Sequence, residues 1–280
     1  MAEINLPANL PTDFQWDDII APNGADIGKA IQYGYNYAME QINATQEACN
    51  ALSKNKVNGI SVPGGTTIYV SKSGNDARGG LESPFLTLGK AFEFLKTLSP
   101  GGKDSRFRVQ IDNGTYSEPG LFIGDLPTRL YIESVNANAD LVKVVGTSSD
   151  VPALSMYNST CSPHGITFES GNADGVVRFM YCNFFFDNCK VISTAIGKGI
   201  GLDVGVSIGR TGHSSFNNCS STLKASYGAH IATYGNSGTG NDIALDSGGA
   251  TIIASGTIPT ATTNYTKSAG GIIFKDGVQV

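Results

Sequence analysis

TIYVSKSGNDARGGLESPFLTLGKAFEFL, from Thr67 to Leu95, is the stretch of sequence that decides the fold. It begins with a short alternation of apolar and polar residues, which is the period of a half-buried β-strand. Gly74-Asn75-Asp76 and Ser83-Pro84-Phe85 then supply residues that favour turns and loops. The apolar residues return at helical spacing, which predicts a helix near residues 83–98. FRVQIDNGTYSE, from Phe107 to Glu118, resumes the alternation of period two.

The same texture continues to the C-terminus. Short runs such as TRLYIESV, LVKVVGTS and ATIIASGTI alternate apolar and polar residues and are bounded by Gly, Asn, Asp or Ser. The chain contains 35 glycines among 280 residues, and only 15% of its residues are charged. This composition suits many short strands joined by tight turns, so residues 59–280 are predicted to form a nearly all-β domain.

Charge and hydropathy exclude several classes of protein. The net charge of −5 offers no basic stripe for nucleic acid. No apolar run approaches the roughly 20 residues that span a bilayer, so membrane insertion is not expected. The first residues, MAEINLPANLPTDF, lack the basic and apolar regions of a secretory signal. The five cysteines show no C-x-x-C spacing, which favours buried, reduced thiols.

Two segments precede the β region. Residues 1–25 have three prolines and no helical period, and we interpret them as an extended arm. Four apolar residues would anchor this arm on another surface: Phe14, Trp16, Ile19 and Ile20. In residues 26–58, apolar and small residues recur at steps of four and three, like a heptad seam. The seam consists of Ile31, Tyr35, Ala38, Ile42, Thr45, Cys49 and Leu52.

The seam has two interpretations. One is an amphipathic helix that lies on its own domain. We favour a short helical bundle between subunits, most simply a homotrimer, because the seam is narrow and no second helical run follows to receive it.

The opening stretch resembles the start of right-handed parallel β-helix proteins, a group that includes pectate-lyase-like folds and many phage tailspikes. The matching elements are Gly74-Asn75-Asp76, Ser83-Pro84-Phe85-Leu86-Thr87 and Gly114-Thr115-Tyr116. They cover about 50 residues, and they are specific for fold but not for activity. The resemblance implies an all-β fold: a right-handed parallel β-helix with a capping helix, preceded here by the arm and the oligomerising helix.

A repeated tetrapeptide is interpreted in the same framework. The two copies are Phe186-Asp187-Asn188-Cys189 and Phe216-Asn217-Asn218-Cys219. A disulfide, a metal site or a stack of equivalent positions could each explain the repeat. In a β-helix, equivalent residues of successive turns lie about 4.8 Å apart. We therefore expect Phe186 over Phe216 and Cys189 over Cys219, with Phe168 in the same stack, an extra loop within residues 196–212, and no disulfide.

Candidate catalytic residues are sparse. The three histidines lack paired ligand spacing, so neither a metal nor another cofactor is expected. Glycoside hydrolysis needs two carboxylates across a groove, and the candidates are Glu169, Asp174, Asp187 and Asp203. A lyase would want a cation beside a carboxylate, for which Arg178 is available. Each of these acids is better explained as a turn-forming or solvent-facing residue than as a catalytic one.

The order of arm, short helix and β-helix resembles that of phage tailspikes and head or tail fibres. It implies an external virion appendage assembled in the host cytoplasm, whose arm binds other virion proteins and whose β-helix binds a host-surface polysaccharide or decorates the particle. Three tyrosines are candidates for stacking on sugars, although core or interface packing would explain them equally: Tyr227, Tyr234 and Tyr265. The alternative is a depolymerase, a hydrolase or lyase that cuts that glycan; we favour the non-enzymatic appendage.

Overall fold

Alternation of inward apolar and outward polar residues gives this chain its architecture. The computed structural model describes residues 60–100, 106–126, 128–195 and 198–280. In a strand such as Arg106–Ile111, Phe107, Val109 and Ile111 are fully buried, while the residues between them face outward. The predicted arm (residues 1–25) and helical seam (residues 26–58) lie outside the described residues.

The strands form three long sheets and one short sheet, and all pairs are parallel except the last, in which Val278–Gln279 runs antiparallel to Ile272–Lys275. Sheet 1 has ten strands: β2 (Thr67–Val70), β4 (Arg106–Ile111), β7 (Arg129–Ser134), β10 (Thr160–His164), β13 (Asn183–Asp187), β16 (Ile208–Gly212), β19 (His230–Tyr234), β21 (Thr251–Ser255), β23 (Ile272–Lys275) and β24 (Val278–Gln279). Sheet 2 has five strands: β5 (Gly114–Glu118), β8 (Val142–Gly146), β11 (Thr167–Ser170), β14 (Lys190–Ser193) and β17 (Ser215–Asn217). Sheet 3 has seven strands: β6 (Leu121–Gly124), β9 (Leu154–Tyr157), β12 (Val177–Met180), β15 (Leu202–Gly205), β18 (Ser221–Ser226), β20 (Asn241–Gly248) and β22 (Ala261–Ser268). The short sheet pairs β1 (Ile60–Val62) with β3 (Leu98–Pro100).

From β4 to β18 the chain visits sheets 1, 2 and 3 in order and then returns to sheet 1 beside its previous strand; after β19 it passes from sheet 1 to sheet 3 without a sheet 2 strand. It thus winds a parallel β-solenoid of about seven turns. Thr160, Asn183, Ile208 and His230 are aligned on successive strands of sheet 1. One turn of this part therefore takes 22 to 25 residues. The predicted all-β fold, a parallel β-helix with a capping helix, is confirmed.

The capping helix α1 (Leu88–Leu95) is shorter than the predicted range of 83–98. Its apolar face, which includes Leu88, Phe92 and Leu95, is buried. Phe85, placed within the helix by the prediction, instead forms a parallel bridge with Val70 of β2. The chain before α1 is therefore extended, and the helix begins where Thr87 caps it.

Residues of the motifs that carry the resemblance hold α1 against the first turn of the solenoid by hydrogen bonds. The Thr87 hydroxyl accepts a hydrogen bond from the Lys90 amide at 3.3 Å, as an N-cap residue does. Asp76 accepts from the amides of Leu86 and Thr87 at 2.8 and 3.0 Å. The buried Glu118 of β5 accepts from the Leu88 amide at 2.8 Å. The motifs that carry the resemblance therefore have a structural role.

The repeated Phe-x-x-Cys tetrapeptide is a corner of the coil. Asn188 and Asn218, its third residues, have φ of 50° and 57°, and this left-handed conformation turns the chain from one sheet to the next. A third copy, Phe179-Met180-Tyr181-Cys182, has φ of 57° at Tyr181. The three copies occupy the three different corners of the coil: sheet 3 to 1, sheet 1 to 2, and sheet 2 to 3.

The expected stack of the two copies is therefore wrong. Phe186 aligns with Thr211 of the next turn, whereas Phe216 aligns with Val191 of the turn before it. Both rings are nevertheless buried in the core, and Phe168 lies 6.0 Å from Phe186 between ring centroids. The two copies lie at different corners, so they are separated along the sequence by about one turn and one third of the next. An extra loop alone does not explain this separation.

The predicted extra loop within residues 196–212 is partly present. The connection between β14 and β15 is long, but β15 and β16 occupy residues 202–205 and 208–212 of the same stretch. Cys189 and Cys219 are buried free thiols, as expected, and so are Cys161 and Cys182.

Candidate functional site

The outer face of sheet 1 is built from three rows of side chains that run along the solenoid. Register fixes the rows, because every second residue of each strand points outward. One row, for example, aligns Arg108, Tyr131, Ser162, Phe185 and Arg210 on successive strands. The nine parallel strands from β2 to β23 give the face a length of roughly 40 Å.

An arginine cluster lies at the end of this face nearest α1. Arg106 and Arg129 are aligned on β4 and β7, and Arg108 is aligned with Tyr131. Arg129 Nη1 lies 3.4 Å from the Tyr131 hydroxyl. This hydrogen bond, with the charges of Arg129 and Arg106, lowers the pKa of Tyr131, and partial burial opposes the effect without cancelling it. Arg108 Nε pairs with Glu133 at 3.1 Å.

A small cavity marks the centre of the cluster. It has a volume of about 150 Å³ and is lined by Gly65, Arg106, Arg108 and Tyr131. Neither Arg106 nor Arg129 pairs with a carboxylate among the residues described. A ligand acid group in this cavity would therefore meet the guanidinium of Arg106, which no acid of the described residues occupies, beside Arg108, which Glu133 already holds.

Histidines surround one carboxylate in the middle of the face. Asp187 Oδ1 lies 3.1 Å from Nδ1 of His213, and its Oδ2 lies 3.8 Å from Nε2 of His164. The His213 and Tyr234 rings are nearly perpendicular, with centroids 5.1 Å apart. In the neighbouring row of the face, the guanidinium of Arg210 on β16 lies 4.8 Å from the ring centroid of Phe185 on β13. The middle of the face thus combines hydrogen-bonding and aromatic groups.

The face carries most of the arginines of an acidic chain. Four of the six arginines lie on it: Arg106, Arg108, Arg129 and Arg210. His164 and His230 lie on its strands, and His213 directly follows β16. Glu133 and Asp187 are the two carboxylates among its outward positions on the described strands. The face can therefore attract anions although the whole chain carries a net charge of −5.

A polar cleft opens near the same end of the solenoid, at the corner between sheets 1 and 2. Its volume is about 390 Å³, and Lys72, Asp112, Asn113 and Asn136 are among the residues that line it. Asn136 Nδ2 donates to Asn113 Oδ1 at 3.1 Å. Such groups can hydrogen-bond sugar hydroxyls.

The predicted catalytic acids are distributed over three sheets. Asp203 is on β15 of sheet 3, and Asp174 lies in the loop before β12. Arg178 Nε donates to Asp203 Oδ2 at 2.9 Å, and its Nη2 donates to the Asp174 carbonyl oxygen at 3.4 Å. Glu169 is on sheet 2 and pairs with Lys143 at 2.8 Å. Asp187 lies at the end of a sheet 1 strand. The four acids do not share one groove.

Sheet 3 carries a ladder of alternating charge. Arg178, Asp203, Lys224 and Asp246 are aligned on successive strands. Burial raises the pKa of both aspartates, and the neighbouring cations oppose this shift without cancelling it. Each acid in the ladder has a cation beside it, as expected for a structural ladder of outward side chains.

The three predicted tyrosines are in different environments. Tyr227 projects into solvent at the corner between sheets 3 and 1. Tyr234 ends β19 on sheet 1, beside His213. Tyr265 is aligned with the buried Leu245 and packs partly against the core. The arm residues Phe14, Trp16, Ile19 and Ile20, like the seam from Ile31 to Leu52, lie outside the described residues.

Two further properties concern metals and membranes. No group of three or more His, Cys, Asp or Glu side chains within the described ranges is arranged to hold a metal ion. In the same part of the chain, no helix combines the length and the apolar character needed to cross a membrane.

Comparison with known proteins gives one structural likeness. No family model matches the sequence, and no curated protein matches it. Among solved structures, the chain is similar to pectin methylesterase PemA from Erwinia chrysanthemi, with a TM-score of 0.38 and 11% sequence identity. The match covers 67% of this chain and 66% of that one. This likeness concerns the fold alone.

Reasoning from the sequence did not identify the arginine cluster. Arg106 and Arg108 are spaced by two in RFRVQ, and Arg129 and Tyr131 are spaced by two in RLYIE. This spacing places each pair on the outer face of its strand. The missing information was that β4 and β7 are adjacent and in register, which joins the two pairs into one cluster.

Proposed function

We propose that the solenoid binds an extended, acidic polysaccharide along the outer face of sheet 1. The observation that supports this is the concentration of four of the chain's six arginines on that face. Arg binds carboxylate and other oxyanion groups through paired N–H donors, and Tyr131 and Phe185 add ring surface beside the guanidinium groups. A straight face roughly 40 Å long suits a chain-like ligand better than a compact one.

Affinity electrophoresis tests this proposal. The protein is run in gels cast with alginate, hyaluronate or polygalacturonate, which carry carboxylates, and in gels cast with neutral dextran. We expect retardation by at least one carboxylated polymer and none by dextran. The double variant Arg106→Gln/Arg129→Gln should lose about tenfold in affinity, a change of about 1.4 kcal/mol. Arg78→Gln, which removes an arginine from the loop between β2 and α1 and not from a strand of the face, is the control.

Three results would contradict the proposal. Equal retardation by dextran would mean that charge is not recognised. A loss in Arg78→Gln as large as that in Arg106→Gln or Arg129→Gln alone would mean that only net charge matters. Stronger retention by duplex DNA than by every carboxylated polymer would favour nucleic acid as the ligand.

We also propose the biological setting of this binding: an external virion appendage of a phage, whose β-helix contacts the host surface. The order of arm, short helix and β-helix in the sequence supports this setting. Residues 1–25 would attach to other virion proteins through Phe14, Trp16, Ile19 and Ile20. Deleting residues 1–25 should leave a soluble, folded oligomer that no longer joins particles. Assembly of the truncated protein onto virions, or the absence of this protein from any phage-like particle, would refute the setting.

A depolymerase is the second candidate function, and the ladder on sheet 3 is the observation that favours it. Asp203 and Asp246 are two strands apart, roughly 9 to 10 Å, near the upper limit for the two acids of an inverting glycosidase. A raised pKa, which both have, suits a general acid. Incubation with host capsule or lipopolysaccharide should then release reducing ends, and Asp203→Asn and Asp246→Asn should abolish the release. No release of reducing ends or unsaturated uronates by the wild type would exclude this candidate.

A further inference from the structure

The corner between sheets 3 and 1 is a stack of left-handed residues. At each of these residues but the last, the amide donates to a carbonyl of the following turn, and this places them in one column. The column consists of Asp125, Asn158, Tyr181, Val206, Tyr227, Gly249 and Ala269, all with positive φ. Gly, Asn and Asp are the residues that adopt this conformation most readily.

Tyr181, Val206 and Tyr227 are costly choices for this column. Each has a bulky side chain in a backbone conformation that disfavours it. The cost is not recovered by burial, since Tyr181 is 60% exposed and Tyr227 is 74% exposed. Strain that packing does not explain points to a function for the side chain.

The rings belong to an exposed apolar strip. Val206, 42% exposed, lies between the two tyrosines in the column, and Ile208, 62% exposed, begins the next strand of sheet 1. The Tyr227 ring lies against Gly205, where a Cβ would approach ring carbon Cδ2 to 3.4 Å and Met180 more closely still. The space that Gly205 leaves is taken by the Met180 side chain, and the Tyr227 ring lies at ordinary contact distance beside it. An exposed apolar strip with polar neighbours marks an interaction site.

We infer that Tyr181 and Tyr227 stack against sugar rings of the polysaccharide that sheet 1 binds, an inference that rests on the proposed function. The tyrosines are two turns apart, roughly 9 to 10 Å, which is comparable with the length of a disaccharide in an extended chain. A tyrosine ring presents an apolar face and a polar hydroxyl, which suits a ligand that has C–H faces and hydroxyl edges. The strip is continuous with sheet 1, because Asn183, Ile208 and His230 begin the strands that follow it.

Opposite effects on stability and on affinity test the stacking role. Tyr181→Asn and Tyr227→Asn remove the rings and introduce the residue that Asn158 already supplies at the same corner. We expect each variant to unfold at the same or a higher urea concentration than the wild type, because Asn tolerates positive φ. We expect affinity for the retained polymer among alginate, hyaluronate and polygalacturonate to fall about fivefold in each variant, and further in the double variant.

Phe122→Asn is the matched control, because this ring is 57% exposed but lies on the outer face of sheet 3. It should leave affinity unchanged. Unchanged affinity in the double tyrosine variant, together with a loss in Arg106→Gln/Arg129→Gln, would overturn the stacking role and leave the proposed function standing. Wild-type protein that binds none of the three polymers would overturn both.

Two other outcomes would also overturn the inference. A lower urea midpoint in the tyrosine variants would mean that the rings pack as part of the fold. A change in molar mass by light scattering would mean that the strip is a contact between copies of the chain.

Discussion

The amide of Cys189 donates a hydrogen bond to the hydroxyl of Ser214, 3.2 Å away and one turn further along the solenoid. Ser214 in turn donates its own amide to Asn236 Oδ1 of the following turn, at 2.9 Å. Cys189, Ser214 and Asn236 thus occupy the same corner in three successive turns, and the side chains of Ser214 and Asn236 each accept a hydrogen bond from the amide of the turn before. The thiol of Cys189 is a corner group of the core and not part of a disulfide or a metal site.

Native thiols should therefore resist alkylation. Burial raises the pKa of Cys189 and Cys219 to about 12, so neither is a thiolate near neutral pH. With iodoacetamide at pH 8, mass spectrometry should find both cysteines unmodified in the folded protein and modified after denaturation in urea. Rapid labelling of either residue in the folded protein would contradict its position at a buried corner.

Replacing either motif phenylalanine should strongly destabilise the solenoid. Phe186 and Phe216 are fully buried, so Phe→Ala should lower the free energy of unfolding by about 3 to 5 kcal/mol at each site. Phe185→Ala is the control, because its ring faces outward beneath Arg210. Urea titration gives the three values, and a cost below about 1 kcal/mol at Phe186 would show that its ring is not in the core.

Asn218 offers a direct test of the left-handed corner. Its φ of 57° suits Asn and Gly but not Ala. Asn218→Ala should lower the free energy of unfolding by about 1 kcal/mol, whereas Asn218→Gly should be nearly neutral. Equal effects of the two substitutions on the urea midpoint would indicate that side-chain contacts matter here and backbone conformation does not.

Glu118 should make the stability of the cap depend on pH. Burial raises the pKa of Glu118 above its ordinary value of 4.5, although its hydrogen bonds from the Leu88 and Gly89 amides oppose the shift. A raised folded-state pKa means that its contribution to stability is largest below 4.5 and is lost as pH rises through the folded value. Glu118→Gln retains an oxygen acceptor and cannot ionise. The wild type should therefore lose stability relative to this variant between pH 4.5 and neutrality, whereas a constant difference in urea midpoint would refute the assignment.

The helical seam predicts an oligomer. Ile42→Asp would place a charge in each copy of the seam, and a short bundle would not compensate for the desolvation of several carboxylates. Light scattering should give the mass of a trimer for the wild type and a smaller mass for the variant. Asp substitution at Glu40, two residues away and outside the seam, preserves charge and is the control. A monomeric wild type at micromolar concentration would disprove the trimer.

The sequence predicts the fold well because its local signals agree. The turn residues around Asp76, the helical spacing after Thr87 and the period-two strands each correspond to an element of the structure. The register was predicted wrongly at Phe186 and Phe216, because all three corners use the same kind of turn. A repeated corner tetrapeptide therefore does not measure the length of one turn.

The candidate site was less predictable for a related reason. Outward side chains of a solenoid meet neighbours about one turn away in sequence, as Arg108 meets Tyr131. Their contacts depend on the exact number of residues in each turn, which loops of variable length obscure. The buried side chains can be predicted from local alternation alone. The neighbours of an outward side chain can be predicted only when the register of every strand is known.

The corner hydrogen bonds give the solenoid a direction of growth. The amides of Cys182, Cys189 and Cys219 all donate to a side chain of the following turn, never of the preceding one. A turn thus completes its own bonding only when its successor is in place, and it serves as the template on which that successor is laid. Because synthesis delivers the capped end first, the coil can be built progressively on the ribosome, each new turn closing the corners of the last.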